Sequence, residues 1–326
     1  MIRHPLRECA LAIAIGAAAL GASAAQAQEF PNRTIRMLVG FPAGGPSDVP
    51  ARLIAEHMRE ALGQAVVVEN KTGAAGTIAV KELLAQPRDG HTLLLCSYLE
   101  PTNTLLYRSV AYRIEDIAPI SLVTKAYYAF TVPTSLPVNG MQEFIAHAKA
   151  RPGQLNYGRV GAGSVTELLA KQLEKVAGIS MVGVPFRGTG PALQEVAGGR
   201  IEFMVGPLSL SLPLHEGNQV KILGLTSPER LAAAPKLPTL VEQGVPITNY
   251  GWWGVCGASG LPAPVIDRIN KVVVAAVNGP NYRSVMEKSG TIPTASTPAE
   301  MAAIMAETVR DFGGLIKDLG IAQIEQ

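Results

Sequence analysis

The amino-acid sequence predicts an α/β fold arranged as two lobes. Short apolar runs bounded by Gly or Pro alternate with stretches of helical periodicity, an order typical of largely parallel sheets covered by helices. Glycine-rich turns recur between an apolar run and the helical stretch that follows it. The 326 residues suit two domains, because a domain usually has about 150 residues.

The N-terminal segment predicts export. Arg3 and Arg7 precede an apolar run over residues 9–25, which is shorter and smaller in side-chain volume than a typical bilayer span. The run ends in Ala-Gln-Ala, the small-x-small pattern that a signal peptidase cleaves. We therefore expect a signal peptide over residues 1–27, cleaved after about Ala27, and a mature protein in the periplasm. An uncleaved anchor is the alternative.

Composition narrows the classes of function. The formal net charge is +2, without the basic excess that nucleic-acid binding requires. The chain has no second long apolar stretch, so any link to a membrane must run through a partner protein. Metal-ligand spacings such as CxxC are absent. We expect a monomer with no metal and no cofactor.

Nine apolar runs are predicted to be strands, because each is short, rich in Val, Ile, Leu or aromatic residues, and bounded by turn residues. In chain order they read IRMLVGF, AVVVEN, TLLLC, YAFTVP, LNYGRV, MVGVPF, IEFMVG, VKILGLT and WWGVCG.

Three helices have clear boundary signals. The first follows FPAGGPSD, has Ser47 or Asp48 available as N-cap, and ends at Gly63. Its apolar face is predicted to contain Val49, Leu53, Ile54, Met58 and Leu62. The second opens on the capping-box sequence SVTE and ends at Gly178, with an apolar stripe of Val165, Leu168, Leu169, Leu173 and Val176. The third begins near Gly190 and ends near Gly198.

The division into lobes has no flexible linker, since no Ser/Gly tract or long charge run occurs. Two stretches are candidates for crossing between lobes, residues 118–133 and residues 248–260. If the chain crosses twice, residues 28–125 and 251–326 form lobe 1 and residues 126–250 form lobe 2.

Three Gly-rich loops each lie between a predicted strand and a predicted helix: FPAGGPSD (41–48), RVGAGS (159–164) and FRGTGP (186–191). The start of a helix leaves backbone N–H groups unpaired and carries partial positive charge, so such a junction is suited to binding an anion. In an open α/β sheet these junctions lie at the carboxyl ends of the strands, where ligands bind. For any single loop the simpler interpretation is that its glycines serve only the turn.

The chain resembles the Bug-type extracytoplasmic solute receptors, the substrate-binding subunits of tripartite tricarboxylate transporters. The segments that carry the resemblance are IRMLVGFPAGGPSD, ARLIAEHM, GQAVVVENKTGAAGTIA, DGHTLLLC, LNYGRVGAGS, VPFRGTGPAL, GLTSPERLAAAPKLPTLVEQGVP and GLPAPVIDRIN. The resemblance implies a periplasmic-binding-protein-like fold, in which two α/β lobes joined by crossing strands close around a small organic acid. It also implies the membrane subunits of such a transporter as partners.

The resemblance further implies that two loops hold a ligand carboxylate through backbone groups and ordered water. In this sequence the corresponding residues are Phe41, Ala43, Gly44, Gly45, Ser47 and Asp48 in the first loop, and Arg159, Gly161, Ala162, Gly163 and Ser164 in the second.

Departures from the family pattern bear on the ligand. Gly206 replaces an Asp that in many members can meet an amine, which disfavours an amino acid ligand. Arg159 is a candidate partner for a second carboxylate, although a solvated or structural arginine is equally expected. Tyr98, like the Tyr127–Tyr128 pair, would suit an aromatic acid, and ordinary strand packing is the alternative.

The remaining predicted contacts are polar. Asn103, Thr189 and Ser209 are predicted to contact the ligand through their polar groups.

Trp252 and Trp253 are neighbours in a predicted strand. At most one of them can face the cleft, because neighbouring strand residues point to opposite faces.

Cys96 and Cys256 each end an apolar segment far apart in the sequence. Two buried free thiols are the commoner state for isolated strand cysteines and are expected here; a disulfide formed in an oxidising compartment is the alternative.

The sequence leaves two rival functions to consider, an enzyme and a sensory receptor. An exported α/β enzyme is disfavoured because GAGSV is not a GxSxG nucleophile elbow, and because GAGSVT fails the dinucleotide fingerprint. After the signal, the chain has only four histidines, of which His57 and His147 lie within predicted helices. A receptor that signals to a sensor kinase fits the sequence as well as a transport receptor does.

Overall fold

The computed structural model describes residues 30–160 and 164–325, so the predicted signal peptide and loop residues 161–163 lie outside the described part. The chain folds into a mixed α/β structure of two lobes joined by crossing strands. Its strands are β1 (Ile35–Val39), β2 (Val66–Asn70), β3 (Thr92–Ser97), β4 (Ile117–Pro133), β5 (Asn156–Arg159), β6 (Val182–Pro185), β7 (Phe203–Pro207), β8 (Val220–Leu225), β9 (Tyr250–Ala258) and β10 (Thr291–Pro293).

The α-helices connect these strands and cover the sheet. They are α1 (Asp48–Leu62), α2 (Thr77–Leu84), α3 (Leu99–Leu106), α4 (Met141–Lys149), α5 (Val165–Ala177), α6 (Thr189–Ala197), α7 (Leu208–Glu216), α8 (Ala263–Asn278), α9 (Pro280–Lys288) and α10 (Pro298–Asp318). Short 3₁₀ turns occur at Ala74–Gly76, Ile114–Asp116 and Val241–Gln243.

The sheet runs in the order β2-β1-β3-β9-β4-β7-β5-β6, and β8 and β10 also pair with β4. Strand β1 is parallel to β2 and β3, and β5 is parallel to β6 and β7. The pairs made by β4 and β9 are all antiparallel. The predicted parallel pairing is therefore present within each lobe. The crossing strands β4 and β9 are antiparallel, because β4 carries the chain from the first lobe to the second and β9 carries it back.

Strand β4 belongs to both lobes. Its first part, residues 117–127, pairs with β9, and its last part, residues 128–133, pairs with β7 and β8. The crossings therefore fall in the two predicted stretches. The bounds of the proposed lobe division stay a prediction. The end of α10 packs with the second lobe, since Phe312 lies in the same core cluster as Phe130 and Phe203.

Both faces of the first lobe's sheet are buried, which explains its continuous apolar strands. Ile35, Met37 and Val39 pack on one face, while Leu38 and its neighbour Leu94 pack on the other. The side chains thus follow the two-residue period of a strand.

Two predicted helix faces need correction at their edges. Val49 is 37% exposed and Leu53 is half-buried, because the buried stripe of α1 runs instead through Ala51, Ile54, Ala55, Met58 and Leu62. Val176 on α5 is likewise 45% exposed. Ser47 occupies the N-cap position of α1, but its side chain makes no capping hydrogen bond.

The cysteines are joined, so the expectation of two free thiols is wrong. Cys96 and Cys256 form a disulfide with their Cα atoms 5.9 Å apart. They lie on adjacent antiparallel strands, where Cys96 is opposite Gly254 and Cys256 is opposite Leu94. This diagonal pair on β3 and β9 brings the two side chains together inside a fully buried cluster.

Candidate functional site

A cavity of about 460 Å³ lies between the first Gly-rich loop and the crossing strands. Its walls come from the loop after β1, the start of α3, the two crossing strands and the end of β7 in the second lobe, so residues of both lobes line it. The lining residues are Phe41, Pro42, Ala43, Gly44, Gly45, Pro46, Ser47, Tyr98, Leu99, Ala126, Tyr128, Pro207 and Trp253.

Some backbone N–H groups of this loop donate to acceptors nearby in the chain, and others have no acceptor among the described residues. Gly44 donates to Oδ2 of Asp48 at 2.9 Å, and Gly45 donates to the carbonyl of Pro42 at 3.3 Å. The N–H groups of Ala43 and Ser47 have no acceptor among the described residues. Both residues line the cavity, so these two donors, one in the loop and one at the N-cap of α1, are candidates for contact with an anion.

Asp48 braces the loop from behind. Its buried carboxylate accepts hydrogen bonds from Gly44, from Arg52 at 2.8 and 3.0 Å, and from Asn70 at 2.9 Å. Burial opposes its ionisation, but these donors outweigh burial and hold the pKa of Asp48 below its usual range. Since both oxygens are engaged, Asp48 is placed to shape the predicted anion site rather than to contact a ligand.

Ser47 is oriented by Trp253. The indole Nε1 of Trp253 donates to Oγ of Ser47 at 2.8 Å in a buried bond. Because the Ser47 oxygen accepts this bond, its own hydroxyl hydrogen is left to donate elsewhere, and Ser47 lines the cavity. The loop thus presents a hydroxyl donor beside its two free amides.

Aromatic side chains form the wall opposite the loop. The Tyr98 ring meets the Trp253 ring edge to face, with centroids 6.2 Å apart, and stacks on Phe312 at 6.4 Å. Burial raises the pKa of both Tyr98 and Tyr128, whose hydroxyls interact with each other. Trp252 points to the other face and donates to Thr308, so only one of the two tryptophans lines the cavity, as predicted.

The second predicted loop is described only in part, because residues 161–163 lie outside the described residues. Arg159 ends β5 and contacts Glu167 in the first turn of α5 at 3.3 Å, with 37% of its side chain exposed. The Ser164 hydroxyl caps α5 by accepting from the N–H of Glu167. Whether these residues contact a ligand stays a prediction.

The other predicted contacts lie away from the cavity lining. Asn103 donates to the carbonyl of Ala75 at 3.0 Å and so ties α3 to the neighbouring 3₁₀ turn. Gly206 is buried beside Thr189, whose methyl group would lie 3.0 Å from a Cβ at position 206. Ser209 lines a different cavity, of about 590 Å³, between α7 and the α9–β10 segment.

Leu99, Ala126 and Pro207 also line the cavity but were not considered as contacts, whereas Tyr128 and Trp253 were each considered as one of a pair of neighbouring aromatic residues. The two-residue period of the first crossing stretch is a usable signal, since it places Ala126 and Tyr128 on one face. A third cavity, of about 610 Å³, lies behind the crossing strands under α10.

A buried carboxyl lies directly beneath the cavity wall. Glu100 accepts hydrogen bonds from the backbone and hydroxyl of Ser97, and its neighbours Tyr98 and Leu99 line the cavity. Burial raises the pKa of Glu100 to about 7, although the bonds from Ser97 favour the charged form.

The raised pKa of Glu100 predicts a loss of stability with rising pH. Below its unfolded pKa the group is protonated in both states; as pH rises toward the folded value of about 7, the unfolded state ionises first. The free energy of unfolding should fall by roughly 2–3 kcal/mol between pH 5 and 8 relative to Glu100→Gln. Urea unfolding of both proteins at the two pH values measures this difference, and an identical pH dependence in both would contradict it.

Comparison with known proteins places this chain in a receptor family. A family model described as "Tripartite tricarboxylate transporter family receptor" matches residues 50–321. The chain belongs to this family. The resemblance of its sequence to Bug-type solute receptors is thereby confirmed.

Known proteins and solved structures are similar to the chain over most of its length. The "UPF0065 protein in gbd 5'region" of Cupriavidus necator is 31% identical over 327 residues, 99% of each chain. The structure of R. palustris Rpa4515 with adipate has a TM-score of 0.82 at 29% identity, covering 91% of this chain and 100% of that one. MatC from Rhodopseudomonas palustris with bound malate has a TM-score of 0.76 at 28% identity, covering 88% and 100%.

The family is a class of solute receptors, and these likenesses confirm the predicted two-lobed fold. No helix of the described residues has the length and apolar character needed to cross a membrane. In the same part of the chain, no cluster of three or more His, Cys, Asp or Glu side chains could hold a metal ion.

Proposed function

We propose that this protein is a periplasmic receptor that captures a small carboxylate between its lobes and delivers it to the membrane subunits of a tripartite tricarboxylate transporter. The observation that carries the proposal is the set of free donors at one end of the interlobe cavity, the N–H groups of Ala43 and Ser47 and the Ser47 hydroxyl. Such donors at a helix start suit a carboxylate. The similar structures solved with adipate and malate support the same ligand class.

In this proposal the ligand carboxylate is bound first by the loop of the first lobe. The second lobe then covers the ligand with Pro207, while Tyr128 on the shared strand β4 lies beneath it. Arg159 does not line the cavity among the described residues, so it would meet a second carboxylate only if closure of the lobes brings its remaining guanidinium donors to the ligand. Closure of the lobes would mark the loaded state for the membrane subunits.

Export is part of the same proposal. The Arg3 to Ala27 segment would direct the chain across the inner membrane and be removed, leaving a protein that begins at Gln28. The disulfide between Cys96 and Cys256 supports this compartment, because stable disulfides persist in oxidising environments such as the periplasm.

The proposed carboxylate contact is tested by Ser47→Ala. The variant loses a hydroxyl donor and the acceptor of the Trp253 indole, and a hydrogen bond to a charged group contributes about 1.5–3 kcal/mol. We expect the dissociation constant for adipate or malate, measured by calorimetry, to rise about tenfold or more. The exposed Ser180→Ala is the matched control and should bind as the unmodified protein does. Equal affinity of Ser47→Ala and the control would remove Ser47 from the site.

A further inference from the structure

We propose that the cavity selects carboxylates with an unsubstituted, apolar body, aliphatic or aromatic, over hydroxylated or amino-substituted carboxylates of the same length. This inference rests on the proposed function and specifies the ligand class of the same site. It follows from the apolar residues that line the cavity beyond the hydrogen-bond donors of the loop.

Away from the loop amides, the described lining is apolar. Phe41, Leu99, Ala126, Pro207 and Trp253 are among the lining residues, and no charged residue lines the cavity in the described part of the chain. An apolar ligand body would exchange water for these surfaces at a gain that grows with the area buried.

The side-chain polar groups nearest this surface each already make at least one interaction. The indole N–H of Trp253 donates a hydrogen bond to Ser47, and the hydroxyls of Tyr98 and Tyr128 interact with each other. The Asp48 carboxylate, which lies closest to the loop, already accepts hydrogen bonds from Gly44, Arg52 and Asn70. A hydroxyl or ammonium on the ligand body would therefore meet no charged side chain among the described residues and only the remaining hydrogen-bonding capacity of the tyrosine pair, so its burial is unfavourable.

The aromatic wall depends on Gly251, which we assign as a positioning residue. A Cβ at this buried position on β9 would lie 2.9 Å from the Tyr128 hydroxyl and 3.0 Å from Cε1 of Tyr98. Both tyrosines thus rest directly on the backbone of the crossing strand. A methyl group there would push the rings toward the cavity, where the ligand body is proposed to lie.

The selectivity is tested by calorimetry with pairs of equal length: succinate and malate, glutarate and glutamate, adipate and galactarate, benzoate and gallate. In each pair that binds, we expect the unsubstituted member to bind about tenfold more tightly or better, since an unsatisfied buried polar group has at least that effect. Equal or tighter binding of the substituted members would overturn the inference and leave the carboxylate receptor intact. If no carboxylate binds to the folded protein, the proposed function fails, and the inference fails with it.

Two variants test the wall itself. Gly251→Ala should weaken the preferred ligand about tenfold, while Gly314→Ala, on an exposed helix face with no atom within 4 Å of the added carbon, should not change it. Should Gly251→Ala fail to fold, Tyr98→Ala serves instead, and its readout is the affinity ratio within each pair. A ratio unchanged by loss of the Tyr98 ring would contradict the role of the wall, because a purely structural defect would weaken both members alike.

Discussion

Replacing both Cys96 and Cys256 with alanine is expected to lower the free energy of unfolding by about 2–5 kcal/mol. The disulfide closes a loop with a sequence separation of 160 residues, and long loops lose most entropy when they are closed in the unfolded chain. It also joins β3 of the first lobe to the returning strand β9, so one covalent bond ties the crossing to the sheet. Both side chains are fully buried, and alanine leaves a small cavity as well.

Urea unfolding of the double variant beside the unmodified protein, oxidised and reduced, measures this effect. We expect the reduced unmodified protein to unfold at nearly the same urea concentration as the variant, because both lack the crosslink. Because the sulfurs are buried, a mild reductant should act only once the protein unfolds. Coinciding unfolding curves for all three forms would show that the disulfide contributes nothing to stability.

Asp48→Ala is expected to weaken carboxylate binding by at least tenfold and to destabilise the fold by about 1.5–3 kcal/mol, the value of a hydrogen bond to a charged group. The buried carboxylate holds the N–H of Gly44, and its partner Asn70 holds the carbonyl of Phe41 at 2.9 Å. Together they fix both parts of the loop that presents Ala43 and Ser47. Without Asp48 these donors lose their common orientation.

Arg52→Ala is the matched control. It removes a half-exposed ion pair with Asp48 and leaves the bonds from Gly44 and Asn70 in place. Only the Arg52 side of the pair is exposed, and the bonds from Gly44 and Asn70 still hold the loop, so Arg52→Ala should weaken binding much less than Asp48→Ala does. Calorimetric titration measures the carboxylate affinity of both variants. If Asp48→Ala binds the carboxylate as tightly as Arg52→Ala does, the loop is not the carboxylate site.

The fold could be predicted closely because its signals are local. Strand runs, Gly and Pro boundaries and the Ser164 cap each act within a few residues, and the two crossing stretches became β4 and β9. The disulfide could not be predicted in this way, because it depends on β9 pairing with β3 from 160 residues away. Sequence order alone does not say which strands become neighbours.

The loop residues that line the candidate site could be predicted from the sequence, whereas the residues of its aromatic and apolar wall were harder to predict. Phe41 to Ser47 line the cavity because a strand-loop-helix junction fixes their place. Pro207 reaches the cavity only through the pairing of β7 with β4, and Ser209, two residues later, turns to another cavity. The role of Asp48 as a brace depends on Asn70 from the neighbouring strand β2, a contact that spacing in the sequence does not reveal.

The most direct test of the account is a crystal structure of the protein, purified from the periplasm, with the carboxylate that binds most tightly in the calorimetric series. We expect one ligand carboxylate within about 2.7–3.2 Å of the N–H groups of Ala43 and Ser47, with the ligand body against Tyr98 and Trp253. A ligand bound instead in the cavity beside Ser209, or in the one under α10, would contradict it.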